Sequence, residues 1–443
     1  MDFTPHTPEE IERMLATVGA PSLEALFDDI PPRFRLGRPL DLPSPLSEQE
    51  LAALMTGAGG RNTVPDICLM GAGAYRHYIP AVVGHVLARP EFYTAYTPYQ
   101  AEISQGLLQA MYEYQTLIAR LSGMQVANAS MYDGASALAE AAVLAARTVN
   151  RKRIVLARSL HPEYRQVVRT YAWANGYDVE ECPWNPAGQL DGSALRALLD
   201  AGTAAVLIQS PNFFGVVENL TALAPTVHGA GALLVASFTE ALSLGLLKSP
   251  GEAGADLVVG EGQSLGIPLH FGGPYLGILA GTEAFLRKIP GRLAGATTDR
   301  EGRRGFVLTL QTREQHIRRE KASSNICSNE ALCALAAAVY LVCLGKNLQP
   351  RAELNLRKAH YLKTRLSRLP GWSPVFSGPT FNEFLLHCPD PDRANGRLLD
   401  AGILGGYDGG RADPALAGTL LLCATELLSR AEMDRVADIL KDA

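Results

Sequence analysis

The glycine-rich turn around Gln263 is the first place in this sequence where residue types and spacing could support chemistry. The apolar run at residues 257–259 leads into Gly260-Glu261-Gly262-Gln263. Open α/β sheets bind their ligands just beyond the carboxyl ends of such strands. An amide at that place can donate and accept hydrogen bonds but, unlike a lysine amine, it cannot form an imine. The sequence therefore predicts a polar strand end without a covalent anchor.

Residues 92–100, called the tyrosine loop below, are a second candidate. They contain three tyrosines and a glutamine, namely Tyr93, Tyr96, Tyr99 and Gln100. Aromatic residues in this number could belong to a core. The Thr97-Pro98 step instead favours a loop, and a loop with several tyrosyl hydroxyls is typical of a pocket rim or an interface.

The turn Gly134-Ala135-Ser136 is a third candidate, because an alanine-rich helix follows it to about residue 149. The first backbone N–H groups of a helix have no partner within the helix and attract anions. The same residues are equally typical of a tight turn that lets a helix pack closely. Both interpretations stay open from the sequence.

Short apolar runs alternate with helical patterns through the middle of the chain, and these elements must position the candidates. The predicted strands are residues 153–157, 177–182, 204–209, 232–236, 257–259, 275–280 and 306–310, and the predicted helices among them are 161–174, 191–199 and 220–227. Such alternation predicts an α/β fold whose mostly parallel sheet is covered by helices on both faces.

Three domains follow from this pattern. Residues 1–65 form an N-terminal arm, with capping boxes at residues 7–10 and 47–50 and little core of its own, so we expect the arm to pack on something else, such as a neighbouring subunit. Residues 66–325 form the large α/β domain. Residues 326–443 form a linking helix and a small C-terminal α+β domain with strands at 383–387 and 420–423.

Composition excludes several classes of function. The chain has 443 residues, 47% hydrophobic and 19% charged, which is typical of globular proteins. A net charge of -5 gives no reason to expect nucleic acid, and no continuous run reaches the roughly 18 apolar residues of a membrane helix. Seven cysteines without a CxxC pair predict buried thiols, Cys327 included, in a reducing cytoplasm, and no metal site. Residues 1–5 carry no secretory pattern.

Six motifs together resemble one family. The sequence is similar to the N-terminal half of glycine decarboxylase, the P-protein of the glycine cleavage system, which in some bacteria is a separate polypeptide called subunit 1 or α. The motifs that carry the resemblance lie at residues 70–78, 92–100, 131–135, 211–215, 260–263 and 309–327.

The resemblance implies a fold, a cofactor and a reaction. The fold is the aspartate-aminotransferase-like fold type I of transferases that depend on pyridoxal 5'-phosphate (PLP), with a large domain followed by a smaller one. The reaction is the decarboxylation of glycine and transfer of the aminomethyl group to the lipoyl arm of the H-protein. PLP supplies the electron sink for this chemistry.

The resemblance also implies that this chain does not hold the cofactor itself. The position of the family's PLP-binding lysine falls on Gln263, and the acid that would face the pyridine nitrogen is replaced by Ser237. His161 stands where a ring-stacking histidine is expected. With the turn at Gly134, these residues would form a vestigial pocket. The resemblance thus implies that PLP is held by a partner β subunit and that the αβ pair is doubled into an α2β2 assembly.

The chain would therefore contribute to the partner's site in trans. Tyr93, Tyr96, Tyr99 and Gln100 are expected to line the mouth for glycine. A short polar run would approach the partner's PLP phosphate, and its residues are Ser323, Ser324 and Asn325. Two alternatives remain open from the sequence. One is an independent PLP-dependent decarboxylase or lyase that uses another lysine, and the other is a non-catalytic scaffold that docks the H-protein.

Overall fold

The apolar runs of the sequence become the strands of the structure, a computed structural model that describes residues 5–93 and 95–441. In chain order the strands are β1 (Ile67–Cys68), β2 (Val126–Ala127), β3 (Arg153–Ala157), β4 (Asp178–Cys182), β5 (Thr203–Gln209), β6 (Leu233–Phe238), β7 (Leu257–Glu261), β8 (Gly277–Gly281), β9 (Leu293–Thr298), β10 (Arg304–Thr309), β11 (Ser373–Pro374), β12 (Glu383–His387), β13 (Ile403–Leu404), β14 (Tyr407–Asp408) and β15 (Thr419–Cys423).

Several helices begin at a residue whose side chain caps the helix, such as Thr7, Ser47 and Asp133. They are α1 (Pro8–Val18), α2 (Glu48–Gly59), α3 (Ala81–Leu87), α4 (Gln105–Ser122), α5 (Gly134–Val149), α6 (Pro162–Asn175), α7 (Gly192–Leu198), α8 (Leu220–Gly229), α9 (Gln315–Arg318), α10 (Ala331–Leu344), α11 (Leu348–Leu366), α12 (Pro391–Asp400), α13 (Gly409–Ala412) and α14 (Arg430–Leu440). The capping boxes predicted at Thr7 and Ser47 are formed, with the hydroxyl and the carboxylate each bonded to a backbone N–H.

Two units can be described separately, Met1–Val64 and Pro65–Ala443. The first contains α1 and α2, neither of which has a buried residue. Its packing partner stays a prediction, as does the three-part domain division. The expectation about a secretory pattern falls mostly on residues 1–4, which lie outside the described residues.

The main sheet of the second unit has the order β2-β8-β7-β6-β5-β3-β4. Strands β3 to β7 run parallel to their neighbours, and β8 runs antiparallel to both β7 and β2. All seven residues of β5 are buried, which explains the continuous apolar run: a central parallel strand has helices against both faces. The sequence prediction of a mostly parallel sheet is confirmed.

The C-terminal region has a four-stranded antiparallel sheet, ordered β11-β12-β15-β14. A second core joins this sheet to α11, α12 and α14 around Phe384, Leu420 and Val436. Strand β1, near the start of the same unit, pairs in parallel with β13. The chain segment before the large sheet is therefore fastened to residues near the C-terminus.

One predicted strand does not belong to the main sheet. The segment predicted at 306–310 forms β10, which pairs only with β9 as an antiparallel hairpin. Its buried and partly exposed residues alternate, as expected for a ribbon with one covered face. An apolar run alone does not say which strand it pairs with.

The helical stretch Ala331–Leu366 is long and apolar enough to cross a membrane by length and composition alone. The core helix of a soluble protein passes the same test, so this is weak evidence. Here the α10 side chains of Ala337, Tyr340 and Leu344 are buried in the main hydrophobic core.

Candidate active site

Gln263 follows the carboxyl end of β7 and is almost completely buried, with 2% of its surface exposed. Its Oε1 accepts a hydrogen bond from the Tyr75 backbone N–H at 2.8 Å. Its Nε2 donates to the backbone oxygens of Tyr75 at 3.0 Å and Ile267 at 2.7 Å. Both amide hydrogens are used. The side chain therefore fastens the segment around Tyr75 to the strand-end turn.

Glu261 occupies the N-terminus of α5. Its Oε2 accepts from the Gly134 N–H at 3.0 Å, and its Oε1 accepts from the N–H groups of Gln263 at 3.0 Å and Leu276 at 2.9 Å. Burial raises the pKa of this carboxyl to about 8, although the three backbone donors oppose the shift. Helix N-termini bind carboxylate and phosphate oxygens, and here the carboxyl oxygen comes from the chain itself.

The turn at Gly134 also allows close packing. A Cβ at this position would stand 2.3 Å from Tyr164 Oη and 3.0 Å from the Glu261 nitrogen. The two interpretations that the sequence left open are thus both part of the structure: the helix start is a binding position for a carboxylate, and it is too tight for a side chain.

His161 caps the N-terminus of α6 and is buried. Its Nδ1 accepts from the Glu163 N–H at 3.2 Å, so the proton lies on Nε2, which donates to the Ala72 oxygen at 2.9 Å. Its ring packs edge-on against Phe213 at 5.1 Å. Burial lowers the pKa of this imidazole. Both nitrogens are thus engaged within the chain.

Ser237 lies on β6, between Gln209 on β5 and Val259 on β7. Its hydroxyl is buried and has no hydrogen-bond partner among the described residues. A neutral hydroxyl at this point cannot hold a proton on a nearby pyridine nitrogen as a carboxylate would.

A cleft of about 520 Å³ opens beside His161 and Glu261, whereas Gly134, Ser237 and Gln263 do not line it. It is lined by aromatic and acidic side chains, which include Tyr132, Asp133, His161, Glu163, Tyr164, Glu261 and Glu330. None of the lining residues is a lysine or an arginine. The cleft is therefore unsuited to an anionic ligand.

The tyrosine loop is exposed. The exposed fractions are 60% for Tyr93, 84% for Tyr96 and 49% for Tyr99, and Gln100 is exposed as well. Tyr93 donates its hydroxyl to the Leu87 oxygen at 2.7 Å, while Thr94 lies outside the described residues. The aromatic-core interpretation fits these exposures poorly. The assignment of these residues to a partner's site stays a prediction.

A series of contacts connects the cleft to this loop. The hydroxyl of Tyr132 accepts from the backbone N–H groups of Cys327 at 3.2 Å and Ser328 at 3.4 Å. The Ser328 hydroxyl accepts from Arg292 at 3.0 Å, and the Arg292 guanidinium lies 5.8 Å from the Tyr99 ring centre. Cys327 and Cys343 are exposed, which corrects the expectation of buried thiols at these two positions, whereas Cys182, Cys388 and Cys423 are buried.

The polar run Ser323, Ser324 and Asn325 lies against α5 and α6. Arg147 on α5 donates to the Ser323 oxygen at 2.5 Å, and the Ser324 hydroxyl accepts from the Ile326 N–H at 3.0 Å. Asn325 is exposed. A small polar cavity of about 220 Å³ surrounds the run. Contact with a partner's phosphate stays a prediction.

The segment that contains Tyr75 and His77 forms buried contacts that sequence reasoning missed. The Tyr75 hydroxyl donates to Glu383 at 2.6 Å. His77 lies between the carboxylates of Glu240 at 2.9 Å and Glu426 at 2.7 Å. The sequence could not predict these three contacts from residue spacing, because the partners are 163 to 349 residues apart.

The sheet order, the small C-terminal domain and the cleft beyond the strand ends define an α/β protein of the PLP-dependent fold type I class. A solved sphingosine-1-phosphate lyase of Burkholderia pseudomallei shares this fold, with 17% identity, a TM-score of 0.67 and coverage of 92% of this chain and 93% of that chain. The model of the glycine cleavage system P-protein family matches residues 1–440. The chain belongs to this family.

Proteins that are similar to this chain over their full length support the same family assignment. A protein named "Probable glycine dehydrogenase (decarboxylating) subunit 1" from Desulforamulus reducens is 53% identical over 99% of this chain and 98% of its own length. One of the same name from Carboxydothermus hydrogenoformans is 50% identical, with 99% of each chain covered. A crystal structure of glycine decarboxylase (P-protein) in inhibitor-bound form aligns over 100% of both chains with 45% identity and a TM-score of 0.88. The family and fold predictions from the sequence are confirmed.

The residues of this chain do not fit PLP. The imine would need an amine, but Gln263 is a fully bonded amide. The pyridine nitrogen would need a carboxylate, but β6 offers the Ser237 hydroxyl. A phosphate at the α5 N-terminus would meet the carboxylate of Glu261. All three anchors are absent or occupied.

Proposed function

We propose that this chain, as the α subunit of a glycine decarboxylase, completes in trans a site whose PLP is held by a β subunit. The assembled enzyme decarboxylates glycine and transfers the aminomethyl group to the lipoyl arm of the H-protein. The observation that carries this proposal is the internal hydrogen bonding of Gln263 and Glu261, which leaves no anchor for the cofactor in this chain.

The tyrosine loop and the polar run at 323–325 are the parts proposed to reach the partner. Tyr96 is 84% exposed and makes no hydrogen bond with the described residues. Large aromatic side chains with a free hydroxyl are enriched where one protein surface meets another. We further propose an α2β2 assembly in the cytoplasm.

Cofactor content tests the proposal directly. The chain is purified alone and with its β partner, and PLP is measured in each preparation by absorbance and by borohydride reduction followed by peptide mapping. We expect label only on the partner, and glycine–bicarbonate exchange only when both chains and H-protein are present. A pyridoxyl-labelled peptide from this chain, or full exchange by the partner alone, contradicts the proposal.

An independent PLP enzyme would need another lysine in the cleft. Lys248 is exposed, 3.5 Å from the Thr221 hydroxyl, and Lys321 is exposed as well. Neither lines the cleft. The structure therefore offers no feature that favours this alternative.

Substitutions in the two partner-facing parts give a sharper test. We expect Tyr96→Ala and Ser324→Ala, each in the reconstituted complex, to lower the exchange rate by about tenfold or more, because each removes a positioning contact. Trp173→Ala is the matched control for Tyr96, since Trp173 on α6 is 81% exposed and lies in neither part. Ser367→Ala on the small domain is the control for Ser324. Unchanged exchange removes that residue from the proposed site.

A further inference from the structure

Arg292 is a buried cation without a carboxylate partner. Only 2% of its surface is exposed, and its Nη1 donates to the Ser328 hydroxyl at 3.0 Å. Its Nε has no hydrogen-bond partner, and none of the described carboxylates lies within 4.0 Å of it. By contrast, Arg165 and Arg351, whose side chains are 14% and 22% exposed, each pair with a glutamate at 2.8 Å.

Such an arrangement is costly for an isolated chain, because a buried charge loses its hydration and here gains no counter-charge. Buried charges in proteins are normally paired or bind a ligand. Arg292 therefore indicates an anion that is supplied from outside this chain.

The backbone around Arg292 is held firmly. The guanidinium of Arg313 binds the backbone oxygens of Ile289 and Gly291, the latter at 2.9 Å. The Arg292 oxygen accepts from the Ala129 N–H at 2.8 Å. The backbone at and before Arg292 is thus held by hydrogen bonds on both sides.

Tyr99 of the tyrosine loop is an exposed neighbour of Arg292. Its ring centre is 5.8 Å from the guanidinium carbon, and the residue is 49% exposed. On its other side the ring contacts His316 at 5.9 Å, whose Nδ1 is 3.5 Å from the buried carboxylate of Glu314. Arg292 is therefore adjacent to the tyrosine loop, which is proposed to face the partner.

We propose that Arg292 binds an oxyanion in the assembled glycine decarboxylase. The ligand is a carboxylate or phosphate oxyanion that the guanidinium and the Ser328 hydroxyl hold from one side. This inference rests on the proposed function, because two sources of such an oxyanion would then face this surface: the carboxylate of glycine and the phosphate of the partner's PLP. Arginine suits both groups, since its planar donors match their oxygens.

The test uses Arg292→Met and Arg292→Lys in the complete complex with β partner and H-protein. If glycine is the source, the Met variant raises KM for glycine about tenfold or more with unchanged PLP affinity. If the phosphate is the source, PLP affinity falls by a similar factor. The Lys variant keeps the charge and loses less in either case. Arg304→Gln is the control, because Arg304 lies over Phe306 at 5.4 Å but is exposed.

A second measurement separates binding from a structural role. Removing an uncompensated charge should leave the isolated chain at least as stable, so the Arg292→Met chain alone is expected to melt at or above the wild-type temperature. A lower melting temperature, or wild-type KM and PLP affinity in the complex, overturns the inference. The proposed function is checked separately on wild-type protein, by PLP content and by exchange with and without this chain.

Discussion

At the scale of single residues, Gln263 and Glu261 both bind backbone groups of the chain itself. Gln263 replaces an amine with an amide that holds the Tyr75 backbone from both its donor and its acceptor side. Glu261 places a carboxylate on the α5 N–H groups. Each side chain satisfies buried backbone groups that would otherwise be left unpaired, and unpaired buried groups are costly.

A lysine introduced at position 263 should not create a PLP site in this chain. We expect Gln263→Lys to give no borohydride-trapped peptide, because Glu261 still occupies the α5 N-terminus and Ser237 is still a hydroxyl. The variant should also lose roughly 1–3 kcal/mol of unfolding free energy, since the Tyr75 N–H loses its acceptor. Mass spectrometry and urea unfolding measure the two effects.

Gln349→Lys is the matched control, because Gln349 is exposed on α11 and its amide bonds only Glu353. That variant should keep wild-type stability. Stoichiometric labelling at residue 263 would show that one exchange is enough to restore the anchor.

At the scale of secondary-structure elements, the start of α5 forms one wall of the cleft, because Asp133, Ala135 and Ser136 line it. Asp133 caps the helix by accepting from the Ser136 N–H at 2.7 Å, and the alanine-rich helix lies buried along the sheet. Small side chains allow the close approach. Glu261 and Tyr164 then enclose the first turn.

Gly134→Ala should therefore destabilise the protein by about 1–3 kcal/mol, the usual cost of overpacking. The added Cβ would meet Tyr164 Oη at 2.3 Å and backbone at 3.0 Å. Gly106 offers a control at the start of α4, because a Cβ there meets nothing within 4 Å. Thermal unfolding of both variants distinguishes the cases: Gly106→Ala should be neutral or stabilising by up to about 1 kcal/mol.

At the scale of the whole molecule, buried ionisable groups connect distant regions of the chain. Burial would lower the pKa of His77, but Glu240 and Glu426 outweigh it and raise the pKa to about 9. Burial opposes the shift of Glu426, whose bond to His77 lowers its pKa to about 2. The charged imidazole of His77 therefore connects Glu240, which follows β6, with Glu426, which follows β15.

Stability should consequently fall as the pH rises from 6.5 to about 9. In that interval the folded His77 keeps a proton that the unfolded chain has lost, so unfolding becomes easier with rising pH. The loss from His77 alone is on the order of 3 kcal/mol. Burial also raises the pKa of Glu383 from 4.5 to about 7 and that of Glu261 from 4.5 to about 8, so these two groups lower the stability already as the pH rises above 4.5.

Below pH 4.5 the sign reverses, because Glu426 is ionised in the folded state down to about 2. Urea unfolding at several pH values should therefore place maximum stability near pH 4.5, where the loss from Glu426 ends and the losses from Glu261 and Glu383 begin. A His77→Gln variant should show a shallower loss on the alkaline side. An equally steep loss in that variant would assign the pH dependence to other groups.

The sequence predicted those features of the fold that depend on residues close to one another along the chain. Alternating apolar runs predicted the parallel sheet, and the strand-end turn placed Gln263 correctly after β7. It could not show that Gln263 bonds Tyr75, which is 188 residues away, or that β10 pairs with β9. Arg292 gave no signal either. Its importance comes from the absence of a counter-charge, and such an absence is visible only in three dimensions.

The pairing of β1 with β13 has a consequence for synthesis on the ribosome. Ile67 and Cys68 align with Ile403 and Leu404, and Tyr75 bonds Glu383, 308 residues further on. The segment at residues 67–75 therefore cannot form these contacts until almost the entire polypeptide has left the ribosome. Contacts of such long range slow folding and leave apolar surface open to aggregation meanwhile. A nascent chain of this kind is a natural client for chaperones.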